Sequence, residues 1–413
     1  MFYKLLNKHE KFNTTGNMKP RKIELLSPAG SFQSLRAAIQ AGADAVYFGL
    51  KEFNMRSSAK NFSLRDINKI DKICKQAKIR KYLTLNTIIY DSEIKKIENI
   101  LKKIKGKVDA VICWDLSVIQ LCKKYKIPFH ISTQASVSNL ESAKFYKKIG
   151  AERIILAREL NLAQIKKISK IIPVEVFVHG AMCVSISGRC FISQFIHKKS
   201  ANRGECTHPC RREYIIKDVQ NGFELKMENH RIMSAKDLCT LSFIDNLKKS
   251  NISAFKIEGR NRSPDYVYTV TKVYRQALDS KKLSKQQIEK GIEELKKVYN
   301  KGFSSGFFLG LPTSDDFSSA EDSLAKEKKH VLGIVEKYWP KIQVAAIKIL
   351  ARSVKLGEEI IIIGKETGIQ KIKVESMEIN HKPVSIATKG QLIGVKLKSP
   401  VKKGDDVFII EKS

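Results

Sequence analysis

Four cysteines crowd one glycine-punctuated stretch of the chain: Cys183 and Cys190 in GAMCVSISGRC, then Cys206 and Cys210 in GECTHPC, spaced C-x6-C-x15-C-x3-C. Four thiolates within one segment can share a tetrahedral zinc ion or an iron-sulfur cluster. Zinc sites typically pair two short C-x2-4-C elbows, and only one pair here is that close, which tilts the balance toward a cluster and leaves zinc open. Cys74, Cys113 and Cys122 fall inside helix or strand patterns and read as ordinary buried thiols. Cys239, in SAKDLCTL, is the one plausible substitute ligand.

Something must hold those cysteines in place. Upstream and downstream of them, eight short apolar runs alternate with amphipathic stretches: residues 23–30, 44–50, 82–89, 109–115, 129–136, 153–159, 174–180 and 254–260. Between them Ile94, Ile97, Leu101 and Ile104 make a helical core-facing stripe. Ser263 and Pro264 open a helix as N-cap and N1. Strands that are near-continuously apolar are strands buried on both faces, so the pattern predicts an α/β fold, a (β/α)8 TIM-like barrel over residues 21–283, with a doubly wound open sheet as the alternative. The cysteines lie in an excursion of about residues 181–250 between the seventh and eighth strands, and a loop that long is usually functional.

In such barrels active sites gather at the C-terminal ends of the strands. Polar residues mark those ends here, among them Asn86, Gln134, Arg158, His179, Glu258 and Arg260, with Tyr47, Arg56 and Trp114 close by. Planar guanidinium groups bind carboxylates through two parallel hydrogen bonds, so Arg56, Arg158 and Arg260 suit an acidic small molecule, although each also reads as a surface or structural arginine. Glu258 is placed to pair with Lys256 or Arg260, or to act as acid or base. His179, four residues before Cys183, is placed to orient substrate or to tune a cluster, and equally to be a satisfied core histidine.

Beyond the barrel, residues 284–329 open with the capping box Ser284 to Gln287 and then read as helix and linker. From about residue 330 to residue 413 short strands alternate with Gly/Lys/Asp turns, which predicts a small β-barrel. Its segments GEEIIIIG, VESMEI, GQLIGVKL and KKGDDVFII resemble, in that order, the second domain of translational GTPases such as elongation factor Tu.

The 76 Lys and Arg against 42 Asp and Glu leave a formal charge of +34, which favours a polyanionic partner, with solvated lysine-rich helix faces as the bland reading. No run approaches the length needed to span a bilayer, and the start has no apolar h-region, so a soluble, cytoplasmic protein with no membrane partner is expected. Residues 1–20 read as a disordered extension. There is no HExxH motif, and the G-x-S-x-G match GFSSG, residues 302–306, falls in the Gly/Ser-rich stretch read as linker and not at a strand-to-helix elbow, so the most portable hydrolase signals are missing.

The segment EVFVHGAMCVSISGRCFIS, Glu175 to Ser193, resembles the signature of the U-32 peptidase family, and SPAGSFQSLRAAIQAGADAVYFGL, STQASVSN, NRGECTHPCRREY and FKIEGRNRSPDYVYTVTKVYRQALD extend the resemblance over roughly residues 22–280. With one small C-terminal β-barrel and GECTHPC followed by RREY, the chain looks most like the tRNA hydroxylation branch. That resemblance implies an enzyme forming 5-hydroxyuridine at the tRNA wobble position, dependent on prephenate, with a 4Fe-4S cluster on Cys183, Cys190, Cys206 and Cys210. It casts Arg56, Asn86, Gln134 and Arg158 as substrate-binding residues, and His179, Glu258 and Arg260 as catalytic ones. A partner subunit or homo-oligomer is compatible with it. The alternatives are a collagenase-like peptidase, hydroxylation of a ribosomal RNA cytidine, and a non-catalytic RNA-binding module.

Overall fold

A computed structural model describes residues 23–225, 233–320 and 322–412; the extension expected at residues 1–20 lies outside the described residues. The eight apolar runs form eight strands: Glu24–Pro28, Ala45–Gly49, Arg80–Thr84, Ala110–Cys113, Phe129–Ile131, Arg153–Ile155, Val174–Gly180 and Ala254–Ile257. Each pairs in parallel with its neighbour, and the eighth pairs with both the first (Leu25 opposite Phe255) and the seventh (Phe255 opposite Val176). The sheet is therefore closed, as the TIM-like barrel required. Leu25, Val46, Leu83, Val111, Ile131 and Ile154 are fully sealed, because helices cover one face of each strand and the barrel interior the other.

The interior also holds charge. Glu175, with no exposed surface, accepts hydrogen bonds from Lys256 at 2.7 Å and Arg153 at 3.2 Å, and Arg153 reaches on to Glu24. Buried charges persist only when paired and hydrogen-bonded, as these are.

The helix Ile94–Ile104 buries Ile97, Leu101 and Ile104 of the expected stripe; Ile94, at the first turn, is only partly covered, and Ile100 is buried in addition. Ser263 caps the helix Pro264–Asp279, and the capping box at Ser284 and Gln287 opens Lys285–Lys296.

The excursion leaves the seventh strand and crosses the mouth of the barrel as a cap. It contains a short helix, Ile192–His197, and a hairpin of Ile216–Lys217 with Glu224–Leu225. It returns as the strand Asp237–Cys239, antiparallel to the end of the seventh strand. That strand pairs in turn with Phe303–Ser304. The stretch after residue 296, expected to be a linker, thus packs against the barrel: Phe308 joins its core, and Leu162 N donates to Phe308 O at 3.3 Å.

The C-terminal region is a separate, eight-stranded antiparallel sheet around Leu332, Ile360, Ile362, Val395 and Val407. A closed barrel was expected; among the described residues the ladder runs from Gly368–Lys373 at one end to Lys382–Pro383 at the other, and no pairing joins those ends. Among the described residues no helix is long and apolar enough to cross a membrane.

Candidate active site at the barrel mouth

The loop after the second strand and the end of the eighth bring the first charges together. Arg56 Nε donates to Glu258 Oε1 at 3.1 Å, and Arg158 Nη2 stands 3.6 Å from Glu258 Oε2. Glu258 therefore bridges two arginines from different strands, and the expected pairing with Lys256 or Arg260 does not occur; Lys256 belongs to Glu175 below. Burial alone would lift the Glu258 carboxyl, but the positive field of Arg56, Arg158, Arg260 and Lys256 outweighs it and holds the group at about 2. At neutral pH it is ionised and has no proton to give, so its surroundings suit it to holding guanidinium groups and not to general acid work.

Arg260 is fixed behind this pair. It donates to Thr84 Oγ1 and to Asn54 Oδ1, both at 2.9 Å. Burial lowers its guanidinium to about 10, which leaves it charged at neutral pH. Gly49, at the end of the second strand, makes the room: a Cβ there would lie 2.2 Å from Arg260 Nη1. Arg158 lies over the Phe177 ring at 3.8 Å and donates to Ala181 O at 2.6 Å, which ties it to the start of the cap. Three guanidinium groups thus face one carboxylate, and the mouth keeps an excess of two positive charges. The Tyr47 hydroxyl donates to Ile257 O beneath them, and burial keeps it a neutral phenol.

A second polar group adjoins the first. Asn86 Nδ2 donates to Gln134 Oε1 at 3.0 Å and to Ser132 Oγ at 3.2 Å, while Asn86 Oδ1 accepts from Met55 N. Residues 54–57 join the two groups, since Met55 meets Asn86 and Arg56 meets Glu258. Trp114 Nε1 donates to Asn86 O, and its ring lies under the Arg189 guanidinium at 4.9 Å.

The cap is fastened all round the rim. Ser57 binds Gly204 O, Arg203 binds Glu93 and Ile88 O, Ser136 binds Ser187, Arg189 binds Gln134 O, and Glu159 accepts from Ser187 N. Arg158 meets the segment that leads to Cys183 directly, donating to Ala181 O and lying 3.9 Å from Met182 Sδ. All four cysteines of the cap are free thiols. Burial pushes Cys210 up to about 11, and Cys183, Cys206 and Cys190 add to the rise, so the four share one neighbourhood. Backbone N–H groups of Ser185 and Ile192 point at the sulfurs of Cys183 and Cys190 at 3.4 Å, and Ser193 Oγ at that of Cys206 at 3.9 Å.

Among the described residues no group of three or more His, Cys, Asp or Glu is gathered tightly enough for a single metal ion. A cluster spreads its ligands over several irons, and donors aimed at the sulfurs are one of the means by which proteins tune it. Four free thiols with N–H and O–H donors aimed at three of them are a donor set that an iron-sulfur cluster would accept.

His179 stands apart from the charged mouth. Its ring is sealed among Tyr266, Tyr274 and Phe303, and burial drives the imidazole down to about 3. Cys239 is buried beside it, within 3.8 Å of the Tyr274 hydroxyl, in the barrel wall and not in the cap. Cys74, Cys113 and Cys122 are buried.

Sequence reasoning missed Asn54 and Thr84, which aim Arg260, and Arg189 and Arg203, which fasten the cap. Asn54 carried a signal, a polar residue just beyond a strand end in KEFNMRSS. The cap arginines carried none, because their partners come from three different loops.

Likenesses to known proteins bear on this geometry. A family model described as peptidase family U32 matches residues 30–317. An uncharacterized protease of Methanocaldococcus jannaschii is 42% identical over 95% of this chain and 99% of its own length. A collagenase of Porphyromonas gingivalis is 37% identical over 96% of this chain and 99% of its own. The tRNA hydroxylation protein P1 of Bacillus subtilis is 32% identical over 87% of this chain and 88% of its own.

Proposed function

Because this chain belongs to peptidase family U32, we propose that it is a cytoplasmic RNA-hydroxylating enzyme that forms 5-hydroxyuridine at the wobble position of tRNA, with prephenate as co-substrate. The observation that carries the reading is the fastening of the four-cysteine cap to an arginine-rich mouth: Arg158 donates to Ala181 O, two residues before Cys183, and Ser57, beside Arg56, donates to Gly204 O, two residues before Cys206. A peptidase would use that mouth differently, needing a nucleophile and a base. His179, the imidazole nearest Cys183 in sequence, is enclosed by aromatic rings.

Cys183, Cys190, Cys206 and Cys210 would hold a 4Fe-4S cluster, whose chemistry is the transfer of single electrons beside the mouth. The chain's own residues do the rest. Arg56, one-third exposed, and Arg158 offer guanidinium edges to a dicarboxylate, whose two charges match the excess at the mouth. Glu258 keeps both arginines aligned when the site is empty, and Arg260 supplies a fixed positive charge from behind. Asn86 and Gln134 present amide donors and acceptors to the edge of an unstacked base.

The test is expression in a bacterial host stripped of its own tRNA-hydroxylating enzymes, followed by mass analysis of tRNA nucleosides. 5-Hydroxyuridine should appear, and should be absent when the host cannot make prephenate. Unchanged nucleosides, together with cleavage of gelatin by the purified iron-loaded protein, would overturn the reading in favour of a peptidase.

A further inference from the structure

The outer face of the cap is unusual for a soluble surface. Phe191 is 73% exposed and Phe195 90%, with Ile186 and Ile196 also open to solvent. Large apolar side chains in such density on one surface mark an interaction site. The cap's short helix carries Phe195 and Ile196, Phe191 precedes it, and Lys198 and Lys199 follow it, both exposed.

Two arginine-aromatic pairs flank this segment in the chain. On one side Arg189, next to Cys190, lies over Trp114, which binds Asn86 O beside the Asn86–Gln134 amide pair. On the other side Arg203 lies over Tyr90 at 4.8 Å, and Tyr90 is 56% exposed. Along residues 189–203 exposed phenylalanines are thus interleaved with cations, and the arginines at either end of the segment lie over aromatic rings of the rim.

We propose that this strip is a stacking platform for single-stranded RNA, on which the bases flanking the target nucleotide lie against Phe191 and Phe195 while Lys198 and Lys199 meet the phosphates. The proposal rests on the RNA reading above and adds the surface that presents the substrate. Two features favour RNA over a protein partner. Lysine is depleted at the core of protein interfaces, yet here two exposed lysines follow directly on the exposed apolar residues. Non-duplex nucleic acid is gripped by exposed aromatics interleaved with positive charge, and the chain as a whole carries +34.

The test uses the full-length, iron-loaded protein and a fluorescein-labelled RNA stem-loop, with the same RNA annealed to its complement as the duplex probe. The paired change Phe191→Ala with Phe195→Ala should weaken stem-loop binding by about 10- to 100-fold, as loss of base stacking does, and leave duplex binding within about twofold. Lys198→Glu with Lys199→Glu should weaken both probes and flatten the salt dependence. Phe223→Ala, which removes an exposed ring from the distant hairpin, should change neither. If the phenylalanine variant binds the stem-loop as tightly as the unaltered protein does, the platform is refuted while RNA binding stands. A fall in molecular mass by light scattering with unchanged RNA affinity would show a surface between copies of the chain and would also refute it. No binding of either probe by the unaltered protein would overturn both the platform and the RNA reading.

Discussion

At the scale of single residues the mouth is an electrostatic device with Glu258 at its centre. Its carboxyl is held at about 2, against an ordinary 4.5, because the surrounding arginines outweigh the cost of burial. A depressed carboxyl lends stability that is complete above its unfolded value and is lost as the pH falls toward the folded one. At about 1.4 kcal/mol per pKa unit this is on the order of 3 kcal/mol at neutral pH. Glu258→Gln should therefore lower unfolding stability by that order at pH 7, with the gap to the unaltered protein closing between pH 4.5 and 2; urea titrations across that window check it. The cysteines make a separate prediction. Cys183→Ser or Cys206→Ser should strip iron, sulfide and visible colour from protein purified without oxygen, while Cys74→Ser, in a buried helix position, should keep all three. A full iron complement in Cys183→Ser would remove that residue from the ligand set. Arg56, Arg158, Arg260 and Glu258 were legible in the sequence as polar residues near strand ends. Their pairing was not, since which carboxylate meets which guanidinium depends on side-chain directions and loop paths that spacing does not encode. His179 shows the same limit: alternation placed it at a strand end, yet its ring turns into the wall.

At the scale of elements, the barrel strands announced themselves because parallel strands buried on both faces read as unbroken apolar runs. The cap did not, since it has almost no regular structure and is held by side chains reaching to separate loops. Its seat depends on a close approach at Gly204, where φ is +92° and an added Cβ would lie 2.2 Å from Asn54 O. Gly204→Ala should thus lift the cap from residues 54–57, the segment that carries Arg56. The expected result is faster proteolysis within residues 181–225 and reduced iron content, with the melting temperature of the barrel within a few degrees of the unaltered protein. Equal proteolysis and full iron would mean that the Ser57–Gly204 contact does not fasten the cap. The stretch after residue 296 was misjudged as a linker for a related reason. Glycine and serine mark irregular backbone, and Phe303 and Phe308 within it, which anchor it to the barrel, are too few to make a periodic signal.

At the scale of the whole molecule, the question is what the C-terminal sheet contributes. It is no more basic than its share of the chain: residues 327–412 hold 17 Lys and Arg against 10 Asp and Glu, an excess of seven within the overall +34. Charge alone therefore does not single it out as the RNA-gripping part, and its mounting is more informative. Ile361, Ile363 and Ile369 pack on Ala37 of the helix Phe32–Gln40, and Tyr268 of the helix Pro264–Asp279 joins them. Gln40 closes the junction by donating to Thr367 O at 2.8 Å and accepting from Ile369 N at 3.0 Å, and Lys329 pairs with Asp265. An apolar contact flanked by two hydrogen bonds of the Gln40 side chain and by the Lys329–Asp265 ion pair ties the sheet to the outer wall of the barrel. Ile369→Asp places an unpaired charge in that contact and should release the sheet without unfolding either part, because Ile369 belongs to the junction cluster and not to the core of either unit. Small-angle scattering should report a larger radius of gyration, with iron content unchanged. If the mounted sheet positions RNA, turnover of whole tRNA should fall while binding of a short stem-loop at the cap holds. If both stay the same with the sheet released, the sheet takes no part in presenting the substrate and the cap face alone does so.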